Sequence, residues 1–245
     1  MAPEGNLSET EREALRAEIR REVKTEIKQE TRRRRLRGFL GCLAFYLIIF
    51  GVPTAWLAVD VAKSGWYEVP ALTNWLYQPT TPRREVRPLS GETADTVWGE
   101  SQARIKFDAK TDLATIGFKE TGLTTIMRDA AASRANILPV PVLSPQVSIS
   151  STDIELFFLT PRPSGRDVTV RVLFTPVAED GKLAIRISRV TLGRYDVPRL
   201  LDGYVSKMLN DALTAQFESH LPTGFSFNKV VLEDGRLSLV VQVSQ

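Results

Sequence analysis

Apolar and polar residues alternate along long stretches of the second half of this chain. Between Arg166 and Pro198, two such stretches are joined by an acidic turn. The alternating apolar positions are Val168, Val170, Val172 and Phe174 in the first stretch and Leu183, Ile185 and Ile187 in the second. A period of two residues is typical of a strand with one buried face, so both stretches are predicted to be strands. After Ile187 the alternation shifts by one residue and resumes at Val190, which predicts a bulge or a sharp bend in a curved sheet.

The same periodicity analysis predicts an α+β domain over residues 97–245. Short strands are expected around Ile105 and Ile116, and a helix is expected to begin near Thr121. A hairpin should turn at residues 151–153, and two closing strands should flank residues 233–235, with a second phase shift at 228–229. Asp196 can cap a helix of about 22 residues that carries a wide apolar face. This order predicts an antiparallel curved β-sheet wrapped around a long α-helix.

Matched lengths suggest a possible ligand groove in that domain. Strands of ten to twelve residues extend about 35–40 Å and a helix of 22 residues about 33 Å, so the helix can lie along the whole sheet. Such a sheet leaves an elongated apolar trough at its rim, and the sequence leaves open whether side chains or a ligand fill it. The candidate groove residues are Val168, Val170, Val172, Phe174, Ile185, Ile187, Leu213 and Phe217.

An uncharged run from Gly38 to Val59 predicts a transmembrane helix over residues 38–60. Its 22 residues would form a helix of about 33 Å, enough for a hydrocarbon core of roughly 30 Å. A cleaved signal peptide is not favoured, because a charged segment of 37 residues precedes the run. The FLGC string resembles a lipobox, but Cys42 stands at the start of the apolar run, so a small packing residue is the better interpretation.

The charges around this run predict its orientation. Within 20 residues of the run, nine Lys or Arg precede it and one, Lys63, follows it. The N-terminus should therefore remain in the cytoplasm, with the C-terminal domain outside the cell membrane. The expected topology determinants are Arg32, Arg33, Arg34, Arg35 and Arg37. An arginine block could also bind RNA or anionic lipid, but topology is the favoured role, with contact to inner-leaflet lipid as a by-product.

Three further segments surround the apolar run. Residues 1–37 are predicted to be a charged cytoplasmic segment, with a helix over residues 7–36. The apolar column of this helix is narrow, which favours a solvated helix. The alternative is a coiled coil that forms a homo-oligomer or binds a partner. Residues 61–77 are predicted to lie at the membrane interface, and residues 78–96, rich in Pro, Thr and Arg, are predicted to be a spacer. The aromatic residues expected at the interface are Trp56, Trp66, Tyr67, Trp75 and Tyr77.

Composition narrows the classes of function. The formal net charge is +3, and after residue 37 there are 21 basic and 21 acidic residues, so no nucleic-acid partner is predicted. The chain has one cysteine and one histidine, His220, which argues against a disulfide framework and most metal sites. No nucleophile motif or phosphate-binding glycine loop occurs, so neither an enzyme nor a cofactor is predicted.

Several strings in residues 112–243 resemble a bacterial family. They are FKETGLTTIMRDA, VSISSTDIELFF, the stretch from VRVLFTPVAEDGKLAIRIS to DVPRLLDGYVSKMLNDAL, and LPTGFSFNKVVLEDGRLSLVV. In this order they resemble the extracytoplasmic domain of YpmS-like membrane-anchored proteins and, more distantly, LmeA-like phospholipid-binding proteins. The resemblance implies the tubular lipid-binding (TULIP-type) architecture, in which a sheet wraps a long helix and apolar cargo lies in the groove. No polar site residue is carried over.

Two functions are consistent with these features. The first is a single-pass, non-enzymatic protein that binds or relays lipid at the cell envelope. The second is a structural or scaffolding protein whose domain docks an envelope protein partner while its cytoplasmic helix oligomerises.

Overall fold

A computed structural model describes residues 41–108, 111–133, 141–162, 165, 167–199, 203–211 and 225–243. The chain divides into two compact units, Met1–Leu57 and Ala58–Gln245. The helix predicted for residues 7–36 and the five arginines predicted to set the topology lie outside the described residues, as do Leu213 and Phe217.

The first helix, α1, runs from Gly41 to Ser64 and is long and apolar enough to cross a membrane. Residues Leu47–Gly51 form a π-helical turn, and Pro53 follows it by two residues. Proline lacks an N–H and its ring crowds the carbonyl four residues earlier, so a widened turn just before it relieves that crowding. The last seven residues of α1, from Ala58 onward, belong to the second unit.

In the described part of the second unit, nine strands form two antiparallel sheets, so the predicted α+β class is confirmed. One sheet has the strand order β1-β2-β9-β8 and the other β3-β4-β5-β6-β7. The strands are β1 Lys106–Asp108, β2 Leu113–Lys119, β3 Leu143–Ile149, β4 Ile154–Thr160, β5 Val168–Glu179, β6 Lys182–Leu192, β7 Tyr195–Asp196, β8 Phe225–Glu233 and β9 Arg236–Val243. The helices are α2 Leu72–Leu76, α3 Ala94–Ala103, α4 Glu120–Ser133 and α5, residues 203–211.

The core lies between the inner faces of these two sheets. Val170, Val172 and Phe174 of β5 share one buried cluster with Leu239 and Val241 of β9. Trp98 and Phe118 belong to the same cluster, with ring centroids 5.0 Å apart at an interplanar angle of 79°. Where one curved sheet was expected, the structure therefore has two sheets that pack over a common core. Wrapping of a sheet around the long helix stays a prediction, since only residues 203–211 of that helix are described.

Both predicted phase shifts are β-bulges. In β6, Ile187 pairs with Phe174 and Arg189 pairs with Leu173, which leaves Ser188 as the extra residue. In β8, Phe227 pairs with Val241 and Lys229 with Val240, so Asn228 is the extra residue there. Each bulge returns the alternation to the core face, as the burial of Val190 after the first one shows. The hairpin predicted at residues 151–153 is also confirmed, between β3 and β4.

Helix side chains cap both edges of the five-stranded sheet. On β3, Thr124 Oγ1 of α4 accepts a hydrogen bond from Val147 N at 2.9 Å. On β6, Asn210 Oδ1 of α5 accepts from Ile185 N at 2.8 Å, and Ser206 Oγ donates to Ile185 O at 2.8 Å. These bonds satisfy backbone groups that an exposed edge would offer to another chain.

Replacing Thr124 with valine tests this edge capping. Val keeps the shape but leaves the buried Val147 N–H without an acceptor, so the free energy of unfolding should fall by about 1–3 kcal/mol. Denaturant titration measures the change. Thr115→Val on β2 is the control, because no hydrogen bond of its hydroxyl is described, and an equal loss in both variants would contradict the capping role.

Candidate membrane-proximal site

The outer face of the five-stranded sheet is covered by residues 77–86, which we call the strap. Thr80 N donates to Thr169 Oγ1 of β5 at 3.0 Å, and Arg83 N donates to Glu155 Oε1 of β4 at 2.6 Å. Val86 N then donates to a β3 side chain, so the strap crosses three strands in order. Much of the segment predicted as a spacer, residues 78–96, is thus hydrogen-bonded to the domain.

An ion pair lies beneath the strap. Glu155 is only 2% exposed and its Oε2 lies 3.2 Å from Arg171 Nε. Arg171 Nη2 also donates to Thr81 O of the strap. Burial of a carboxylate is costly unless it is paired and hydrogen-bonded, and here the strap supplies one of the hydrogen bonds. The strap and the ion pair therefore stabilise each other.

The strap begins where α1 ends, and the end of α1 is built into the domain. Ala62 is 0% exposed and Ser64 is buried. The carbonyl oxygen of Lys63 accepts from Arg194 N at 3.3 Å, and that of Gly65 accepts from Arg162 Nη1 at 2.8 Å. Arg162 follows β4 and Arg194 lies in the turn between β6 and β7, so two loops at one end of the sheet hold the helix end.

The Tyr77 ring fills the space between these loops and the helix end. Gly65 and Gly193 have φ of 71° and 55°, and a Cβ added to either would lie within 2.5 Å of the ring. The Tyr77 hydroxyl donates to Asp167 O at 3.1 Å and accepts from Thr169 N at 3.3 Å. Both glycines are thus required by their backbone conformation and by the ring beside them.

The aromatic residues predicted at the interface lie in different environments. Tyr67 is 67% exposed, and Trp75, on α2, is 77% exposed. Trp56, on α1, is also exposed, and Trp66 is half-buried. Tyr77 is half-buried, because its ring packs against Gly65 and Gly193 and its hydroxyl is hydrogen-bonded to β5.

The opposite end of the sheet carries a polar turn and a shallow cleft. Arg83 Nη1 lies 2.6 Å from Asp153 Oδ1, and this hydrogen bond lowers the pKa of the Asp153 carboxyl. A cleft of about 390 Å³ lies beside the turn. Its lining residues are Ser151, Thr152, Thr175, Pro176, Val177, Ala178, Asn228, Lys229, Val230 and Leu232. Backbone hydrogen bonds join the two sheets on either side of it, Phe227 N to Gly181 O at 2.8 Å and Gly235 N to Ile149 O at 3.0 Å.

Most of the groove residues predicted from the sequence lie in the core. The buried ones are Val168, Val170, Val172, Phe174 and Ile185, and Ile187 is half-buried against the core cluster. In the core they lie beside side chains of the four-stranded sheet. The described cleft has a different lining, at the far ends of β5 and β8. Binding of a ligand in the predicted groove stays a prediction.

Comparison with known proteins identifies no family for this chain. No protein-family model matches the chain, and no curated protein matches it either. The resemblance to YpmS-like and LmeA-like proteins therefore stays a hypothesis that rests on the short strings and their order.

Replacing Val170 with phenylalanine tests whether the predicted groove is filled. Val170 is 6% exposed within the core cluster, so the larger ring should overpack the site and lower the free energy of unfolding by about 1–3 kcal/mol. Val177→Phe, on the same strand but lining the open cleft, is the matched control and should be tolerated. Unchanged stability of the Val170 variant, with less bound lipid, would instead indicate an acyl chain at this position.

Proposed function

We propose that the chain is a single-pass membrane protein that holds its α+β domain against the outer surface of the cell membrane and binds lipid there without catalysis. The observation that carries the proposal is the junction between α1 and the domain. The hydrogen bonds of Lys63 O and Gly65 O fasten one end of the five-stranded sheet to the helix end. A domain attached in this way stays beside the bilayer, where lipid is the most abundant ligand.

The length of α1 supports this placement. Its 24 residues correspond to about 36 Å, slightly more than the hydrocarbon thickness of a bilayer. When α1 spans the membrane, residues 62–65 lie near the headgroups. Tyr67 and Trp75 follow within eleven residues and are exposed, as is typical of aromatic side chains at a membrane interface.

The orientation and the lipid-binding role rest on the sequence. Nine basic residues before the apolar run against one after it favour a cytoplasmic N-terminus. The TULIP-like order of segments supports apolar cargo, with Leu213 and Phe217 of the long helix proposed to close one end of the groove.

The cleft at the far end of the sheet favours a second candidate function. β5 has twelve residues and extends about 40 Å, so the cleft beside its last residues points away from the junction with α1. An open cleft with both polar and apolar lining residues, at that distance from α1, suits an envelope protein partner better than lipid. In this alternative the chain is a scaffold, and α1 serves only to anchor it.

A reporter enzyme that is active only outside the cytoplasm tests the orientation. Fused after Gln245, it should be active, because the charge asymmetry directs the C-terminus outward. Replacing Arg32 to Arg35 with glutamine should reduce that activity by allowing the reverse orientation. Activity of a cytoplasmic reporter at the same position would contradict the proposed topology.

Lipid bound to the isolated domain tests the function. The suitable fragment is residues 58–245, since one that begins at residue 93 would lack the strap. The fragment is exported, purified without detergent and extracted with solvent, and mass spectrometry of the extract should show about one phospholipid per chain. Added lipid should also raise the melting temperature of the fragment, because a ligand that binds only the folded state stabilises it. An unrelated exported protein purified in parallel gives the background. Lipid at background level and unchanged melting would favour the scaffold instead.

A further inference from the structure

Arg162 is a buried arginine beside the end of α1. It is 9% exposed, and its Nη1 donates to Gly65 O at 2.8 Å. Its Nε is buried and has no hydrogen-bond partner among the described residues. In the described part of the chain, Arg162 also makes no ion pair.

Such a guanidinium is costly without an anion. Arginine remains protonated at any physiological pH, and a charge withdrawn from water requires a partner of opposite charge. Arg171, on the neighbouring strand of the same sheet, has one, since its Nε lies 3.2 Å from Glu155 Oε2. A backbone carbonyl alone leaves most of the five donors of Arg162 unused.

The surroundings of Arg162 are basic. Lys63 and Arg194 meet at the same helix end, where Arg194 N donates to Lys63 O. Asp60 Oδ1 lies 3.6 Å from Lys63 Nζ and offsets part of this charge. Arg162 thus lies near two further basic residues, of which Lys63 is partly offset by Asp60, and a guanidinium matches the oxygens of a phosphate in particular.

We propose that Arg162, with Lys63 and Arg194, binds the phosphate group of a phospholipid headgroup where α1 leaves the bilayer. The inference rests on the proposed function, because only a membrane-spanning α1 brings headgroups to residues 62–65. Free phosphate shares the same chemistry and is distinguished by experiment. The bound phosphate would supply the negative charge that pairs with the Arg162 guanidinium, and the lipid would join the helix end to the sheet.

The test measures phospholipid retained by the full chain. Native mass spectrometry in mild detergent compares the wild type with Arg162→Gln, which keeps a donor for Gly65 O, and Arg162→Lys, which keeps the charge. A charge-assisted hydrogen bond is worth about 1.5–3 kcal/mol, so affinity for phosphatidylglycerol should fall about tenfold or more in the glutamine variant and less in the lysine variant. Arg236→Gln, an exposed arginine on β9, is the control and should retain lipid as the wild type does.

Thermal unfolding in nanodiscs adds a readout that a purely structural role would not change. Phosphatidylglycerol added to phosphatidylcholine should raise the melting temperature of the wild type, and Arg162→Gln should lose this increment whatever its own stability. Stabilisation by inorganic phosphate in detergent would support the phosphate chemistry and show that a free anion also binds.

The phosphate site alone would be overturned if the wild type and Arg162→Gln retained equal amounts of phosphatidylglycerol and gained equally in melting temperature from it. Wild-type protein that retains no lipid of any class would overturn the proposed function with it.

Discussion

The five-stranded sheet must be covered on both faces, because its inner face is apolar and its outer face carries the buried carboxylate of Glu155. β4, with the sequence IELFFLT, is buried at six of its seven positions, so neither of its faces can be left to water. The four-stranded sheet covers the inner face. The strap covers the outer one, and α4 and α5 close the two edges. Nearly every described element of the second unit is therefore placed by the demands of this one sheet.

This covering also determines where α1 attaches to the domain. The strap starts at Tyr77, whose ring packs against Gly65 just after α1 and against Gly193 in the turn between β6 and β7. The segment that protects the outer face is thus held against the end of α1, the helix proposed to span the membrane. Loss of the strap would expose Glu155 and loosen the helix end at the same time. The same contacts therefore stabilise the sheet and hold it to the end of α1.

Local patterns predicted much of this domain. Alternation identified the strands, and its two shifts located the bulges at Ser188 and Asn228, because each extra residue changes which side chains face the core. The division into two sheets was not predictable in this way. β2 pairs with β9 from the opposite end of the domain, and periodicity carries no information about which strands are neighbours.

The strap and the site near α1 were not predicted from the sequence, for a related reason. Residues 77–86 show no strand period because their backbone bonds to side chains such as Thr169 and Glu155, outside any strand ladder. The apolar run LFFL within β4 was the available signal, since four consecutive apolar residues indicate a strand buried on both faces. Arg162 carried no signal at all, because its burial beside Gly65 depends on contacts between residues 97 positions apart.

The most direct test of the central claim is the depth of the two ends of the sheet relative to the bilayer. With Cys42 replaced by serine, a spin label is placed at Trp75, beside the helix end, or at Asp180, in the turn between β5 and β6 at the opposite end. In nanodiscs, electron paramagnetic resonance should show the label at position 75 relaxed mainly by oxygen dissolved in lipid, and the label at position 180 mainly by a water-soluble nickel complex. Equal exposure of both labels to the nickel complex would show that the domain is not held at the membrane surface.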